Sequence, residues 1–295
     1  MPCLEPQGCE TGFVRPGDNR GFRQDLAEYI RTMITSSQNP KLKLIRALTG
    51  RAKERREENA FVIEGVRLIE EAVLAGWKFR FVLYSDGLTE RGRNLVNVLT
   101  AQGVEVDEVA GDLLQKLSDT ETPQGILAVL QFSEIPIPDS LDFILVLDQI
   151  RDPGNLGTLL RSAAATGAQA VLLPPETTDA FAPKVLRAGM GAQFRLPVHS
   201  MTWGEIEQMS KSANLQIYLG DVHGRSCWET DLRQPLALII GGEAEGASEE
   251  ARKLTPQKIS IPMSGNVESL NAGVAGSVLM FEVVRQRTTL LTESA

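Results

Sequence analysis

Short, mainly apolar runs recur through the second half of the chain, at 143–148, 170–173, 215–219, 236–240 and 258–261, and stretches of helical spacing separate them. A strand buried on both faces of a sheet reads as such a run, whereas a half-exposed strand alternates apolar with polar residues. The pattern therefore predicts an α/β fold around a parallel sheet, with ligands at the carboxyl ends of its strands. The preceding stretch, 61–132, also alternates. Strands are expected at 61–63, 79–84, 104–109 and 126–132, and helices at 65–75, 88–102 and 112–117, which makes one smaller α/β unit. Pro136 and Pro138, amid acidic and polar residues at 133–142, read as a linker. The reading is thus an extension over 1–38, a small domain over 39–133 and a larger one over 142–290.

With 295 residues, each unit is long enough to bury its own core. The net charge of −8 argues against a surface that binds nucleic acid everywhere, so any such contact must be local. One candidate lies between Lys41 and Arg56, where seven basic residues (Lys41, Lys43, Arg46, Arg51, Lys53, Arg55 and Arg56) face a single acid, Glu54. Cys3, Cys9 and Cys227 form no evenly spaced framework, as expected in a reducing compartment. His223 and Cys227 lie four apart without a second ligand pair, so no metal is expected. No apolar run approaches the roughly 20 residues needed to cross a bilayer, and the chain is read as cytoplasmic.

Three segments in the larger unit carry chemistry. In LDQIRDPGNLGTLLRSAAATG, 147–167, a buried strand runs into a turn with Pro153 and Gly154 and then a helix that Asn155 can cap. Arg161 stands among small residues that leave a guanidinium accessible. In IIGGEAEGAS, 239–248, a strand enters a glycine-rich turn. Ala247 occupies the place of a phosphate-loop lysine, which excludes that site, and no dinucleotide fingerprint follows a strand elsewhere. Glu243 and Glu245 would repel bare phosphate and attract a cation. In ISIPMSGNVESLNAGVAGSVLMFEVVRQR, 259–287, a strand ends at Pro262, and Ser269 is expected to begin a long helix. The small residues Ala272, Gly273, Ala275, Gly276 and Ser277 would let that helix pack closely on a ligand or a second subunit.

Together these segments resemble the SpoU branch of the SPOUT methyltransferases, which includes ribose 2′-O-methyltransferases of tRNA and 23S rRNA. Asn155, Gly157 and Arg161 match its first motif, and Gly241, Glu243 and Gly246 match its second. Ile261, Pro262, Met263, Ser269, Leu270 and Asn271 match its third. Ala244 departs from the glycine common in relatives. The likeness is close over about 143–287. It extends more weakly over 59–132, which is similar to the family's small substrate-binding domain, akin to ribosomal protein L30e.

The resemblance implies a deep trefoil knot in the C-terminal domain, an exception to the general absence of knots, and a homodimer. It also implies transfer of a methyl group from S-adenosylmethionine to a ribose 2′-hydroxyl of RNA, with 23S rRNA favoured. Transfer RNA is the other substrate class, and a non-catalytic RNA-binding factor of the same fold is the rival reading. Gly241, Ile261 and Leu270 are then expected to hold the cofactor, and Asn155, Glu243, Ser269 and Asn271 to shape the acceptor site. Arg161 is expected to activate the hydroxyl. A guanidinium has no lone pair to accept a proton in its normal state, so its minimum role is to orient phosphate and stabilise the developing alkoxide.

Overall fold

A computed structural model describes residues 33–118, 120, 122–242, 246–265 and 267–293. Two sheets organise the chain. The first contains β1 (Ala60–Glu64), β2 (Phe79–Tyr84), β3 (Val106–Glu108) and β4 (Ile126–Gln131) in the order β1-β4-β2-β3. Strand β4 runs antiparallel to both its neighbours, and β2 pairs with β3 in parallel. Helices α1 (Pro40–Gly50), α2 (Ala52–Glu57), α3 (Val66–Leu74), α4 (Glu90–Ala101) and α5 (Gly111–Gln115) cover it.

The second sheet has six strands, all parallel: β5 (Phe143–Asp148), β6 (Ala170–Leu173), β7 (Val198–Ser200), β8 (Gln216–Ser226), β9 (Leu236–Gly241) and β10 (Lys258–Ser260). Their order is β10-β8-β9-β5-β6-β7. The central strands β5 and β9 carry Ile144, Val146, Ala237 and Ile239 to one buried side and Leu145, Leu147, Leu238 and Ile240 to the other. That two-sided burial is the reason their sequence shows no alternation. Helices α6 (Pro153–Ala165), α7 (Pro183–Gly189), α8 (Trp203–Ser212), α9 (Glu249–Leu254) and α10 (Ala272–Glu293) complete the layers. Helix α8 begins in a capping box of Thr202 and Glu205.

Strand β8 is longer than its apolar run because it continues past a bulge. Lys258 pairs with Leu219, but the next residue, Ile259, pairs with Arg225. Gly224 lies flush on β10, where a Cβ would stand 2.6 Å from the Ile259 amide nitrogen.

The two sheets are joined by a sealed interface. Phe61 and Trp77 from the first unit pack with Phe181 and Phe194 from the second, the Phe61 and Phe181 rings lying 5.0 Å apart. Trp77 Nε1 donates to the Phe194 carbonyl at 3.0 Å, and buried Arg55 donates to Asp179 at 2.7 Å. This contact corrects the view of 41–56 as one basic surface. Arg55 is internal because a buried guanidinium needs a carboxylate partner. Lys41 pairs with Asp107 and Glu105, and Lys53 with Glu57. Lys43, Arg46, Arg51 and Arg56 remain exposed.

Candidate active site

The three motif segments converge at the carboxyl ends of β5, β9 and β10, where parallel-sheet proteins carry their sites. Strand β5 ends at Asp148, and Gln149 turns the chain through a positive φ of 53°. Asp152 caps α6, accepting the Asn155 amide at 2.8 Å, and Pro153 fixes the first turn. Asn155 was expected to be the cap. The carboxylate three residues earlier takes that role, which leaves the Asn155 side chain half-buried in the first turn. Gly157 is set by packing, since a Cβ there would run into Ala188 and stand 2.7 Å from the Gly189 nitrogen on α7. One turn on, Arg161 is exposed and makes no hydrogen bond or ion pair among the described residues.

Strand β9 ends at Gly241, the register partner of Asp148. Gly242 bridges to Gly246, whose φ of +70° suits glycine, and Ser248 then caps α9. A Cβ on Gly241 would stand 2.6 Å from the Ala247 nitrogen, so the loop folds directly over that residue. Glu243, the acidic residue of this motif, lies outside the described residues, as do Ala244 and Glu245.

In the third segment the long helix begins at Ala272, three residues beyond Ser269, because the Asn271 side chain accepts the Val274 amide at 3.2 Å. Its small residues face α6 of the same chain. A Cβ on Gly276 would run into Leu159, and the Ser277 and Ser162 hydroxyls share a 2.7 Å hydrogen bond. The expectation that this face meets a ligand or a second subunit is therefore corrected for Gly276 and Ser277, while Ala272 and Ala275 line a cavity. Asn155 and Asn271 come together at Gly273, where an added Cβ would lie 3.1 and 3.2 Å from their side-chain oxygens.

That cavity, of about 460 Å³, is walled by Gly241, Ile261, Met263, Ser269 and Leu270. The three residues expected to hold a cofactor thus share one wall with Ser269, while Asn155, Arg161 and Asn271 lie outside the lining. A larger cavity, about 910 Å³, opens between the two units beside Arg56 and His199 but touches none of the motif residues.

Sequence reading missed Asp221 and Lys258, which also line the smaller cavity and pair at 2.8 Å. Burial pushes the Asp221 carboxyl up, but Lys258, the His223 amide and Arg252 together hold it below the ordinary value. Asp221 lies beyond the apolar run that ends at 219, in the part of β8 that no local pattern marks. Asp148 is fully buried. Burial outweighs hydrogen bonding from the Ser248 amide and hydroxyl and raises its carboxyl above the usual range, and Glu250 and Glu176 add to the rise.

Residues 142–281 match the SpoU rRNA methylase family, and 39–128 match the MRM3-like substrate binding domain. The chain is 34% identical to an uncharacterised tRNA/rRNA methyltransferase of Synechocystis, over 86% of this chain and 94% of that protein. It is also 34% identical to a 23S rRNA uridine 2′-O-methyltransferase of Streptomyces viridochromogenes, over 91% and 96% respectively. Among solved structures, the SpoU methyltransferase AviRb from that organism, in complex with the cofactor AdoMet, superposes with a TM-score of 0.77 at 32% identity, covering 85% of this chain and 99% of that one. The motif segments, the substrate-domain match and these full-length likenesses agree: the chain belongs to the SpoU rRNA methylase family.

Proposed function

We propose that the protein methylates a ribose 2′-hydroxyl of 23S rRNA, with Arg161 as the residue that holds the acceptor. The observation that carries this reading is the convergence of the second and third motif segments on one cavity, with the first beside them through the pairing of Asp148 with Gly241 and exposed Arg161 on the helix that follows. The cavity size suits a nucleoside-sized ligand, and the buried, unpartnered oxygen of Asp148 beneath its glycine loop suits a cationic one. S-adenosylmethionine, when bound, supplies an electrophilic methyl group on a positively charged sulfur.

Gly241, Ile261 and Leu270 hold the cofactor through backbone groups and apolar contact. Ser269, Asn155 and Asn271 shape the acceptor corner, with Glu243 assigned there from its motif. Arg161 orients a phosphate of the RNA and stabilises charge developing on the 2′-oxygen. Alignment of the two reactants accounts for much of the rate, on the order of 7 to 11 kcal/mol for well-oriented groups. A relative in Bacillus subtilis, 31% identical, is named for a guanosine of 23S rRNA and the Streptomyces relative for a uridine, so the ribose and not the base is what their named reactions have in common. Exposed Lys43, Arg46, Arg51 and Arg56 supply local attraction for phosphate on an acidic chain. The same reading puts the protein in the cytoplasm with its RNA.

The protein acts as a homodimer through the outer face of α10. Val274, Val278 and Phe281 project from it at helical spacing, and Trp228 beside them is 57% exposed. Phe281→Glu is expected to shift the sedimentation coefficient from dimer to monomer, and an unchanged coefficient would refute this interface. The activity is tested by mapping ribose 2′-O-methyl groups in ribosomal RNA from cells with and without the gene. One site is expected to disappear, and an unaltered map would refute the enzyme reading.

A further inference from the structure

Asp148 is the one fully buried acidic side chain at the carboxyl end of the six-stranded sheet, among the described residues. Its Oδ2 accepts the Ser248 amide at 2.6 Å. Its Oδ1 is buried without a hydrogen-bond partner. No lysine, arginine or histidine among the described residues pairs with it, and the charges that reach it, from Glu250 on α9 and Glu176 after β6, are both negative.

A buried carboxylate without a counter-ion carries a desolvation cost, and the Ser248 amide and hydroxyl offset it only in part. Asp221 makes the contrast. It lies within β8 and lines the cavity itself, yet Lys258 meets its charge at 2.8 Å. Asp148 sits directly behind the wall. Its register partner Gly241 lines the cavity, as do Gly242 and Ala247, the latter preceding the Ser248 that Asp148 holds. Charge placed there acts across protein and not across water, where it is weakly screened.

We propose that Asp148 is a positioning and selectivity residue whose buried charge favours a cationic ligand in the adjoining cavity, so that S-adenosylmethionine binds and the neutral product is released. This rests on the methyltransferase reading. In that reaction the bond from the ribose oxygen to the methyl carbon forms as the bond from sulfur to that carbon breaks. The bonding pair stays on sulfur, the hydroxyl proton passes to solvent, and the sulfur ends neutral as S-adenosylhomocysteine. The interaction with Asp148 is therefore strong before transfer and lost after it, which favours exchange of product for fresh cofactor.

The test is calorimetric binding of three ligands of similar shape to the full-length protein: S-adenosylmethionine, the cationic analogue sinefungin, and neutral S-adenosylhomocysteine. Wild-type protein is expected to prefer both cations over the neutral ligand. Asp148→Asn keeps an oxygen for the Ser248 amide and removes the charge. It is expected to weaken both cations by about tenfold and to leave S-adenosylhomocysteine within about twofold of wild type. Asp139→Asn, an equal change of net charge in the exposed linker, should alter none of the three. A uniform loss across the three ligands would mean that Asp148 merely supports the loop, and that outcome overturns the proposal. Equal wild-type affinity for cation and neutral ligand overturns it without any variant, should Asp148→Asn fail to fold. Binding of none of the three refutes the methyltransferase reading itself.

Discussion

The two sides of the site are built differently. The wall proposed for the cofactor lies at turns of the backbone: Gly241 under its own loop, Ile261 just past a strand, and Leu270 ahead of a helix. The corner proposed for the acceptor is made of side chains at or on helices, with Asn155 and Asn271 meeting at Gly273 and Arg161 exposed. A ligand of constant shape can be met by a fixed cradle. An RNA strand that must enter and leave is better met by groups on the rim. Substitutions on the two sides should therefore separate in kinetics. Arg161→Ala carries the largest expected effect, a fall in kcat of about two orders of magnitude or more, as for removal of a transition-state donor. Its affinity for S-adenosylmethionine should stay within about twofold by calorimetry, and a parallel loss of cofactor binding would erase the distinction.

Gly241→Ala probes the opposite side. The added methyl would meet the Ala247 nitrogen and the Gly246 carbonyl carbon at 2.6 and 2.7 Å, so backbone must move. Overpacking of this kind costs roughly 1 to 3 kcal/mol, which corresponds to a rise of about 5- to 150-fold in KM for the cofactor. With both substrates saturating, kcat should change little. A change confined to the KM for RNA would show that the glycine loop serves the acceptor instead.

This division also accounts for what could be read from residues alone. The apolar runs marked the central strands because two-sided burial leaves a plain signature, and the second and third motifs marked the wall of one cavity. Helix starts were less legible. Asp152 and Asn155 are both good caps, as are Ser269 and Asn271, and only the folded path decides which oxygen reaches the free amides. The small residues of α10 were legible as a close contact but not as a contact with α6, since composition does not name a partner. Arg55 looked like its basic neighbours until Asp179, 124 residues away, drew it inside. Asp221 and Lys258 pair across the bulge of β8, a register that no local pattern encodes.

Asp148→Asn gives the smallest expected effect and sharpens the account of the backbone wall, because it asks whether the cradle is strained until it is filled. Burial raises the Asp148 carboxyl above its ordinary value, so the folded protein holds this proton more tightly than the unfolded chain does. Stability contributed by the protonated form is then present below the unfolded value of about 3.9. It is lost as pH rises from there through the folded value, after which the loss is constant. Asparagine has no such titration. The melting temperature of Asp148→Asn minus that of wild type should therefore increase as pH rises across this window and then level off. Saturating S-adenosylmethionine should narrow the gap at the high-pH end, since the cation meets the charge in wild type alone, whereas S-adenosylhomocysteine should leave it unchanged. A gap that does not vary with pH would mean that the carboxylate bears no unmet charge in the folded protein, and the cradle would then be preformed without strain.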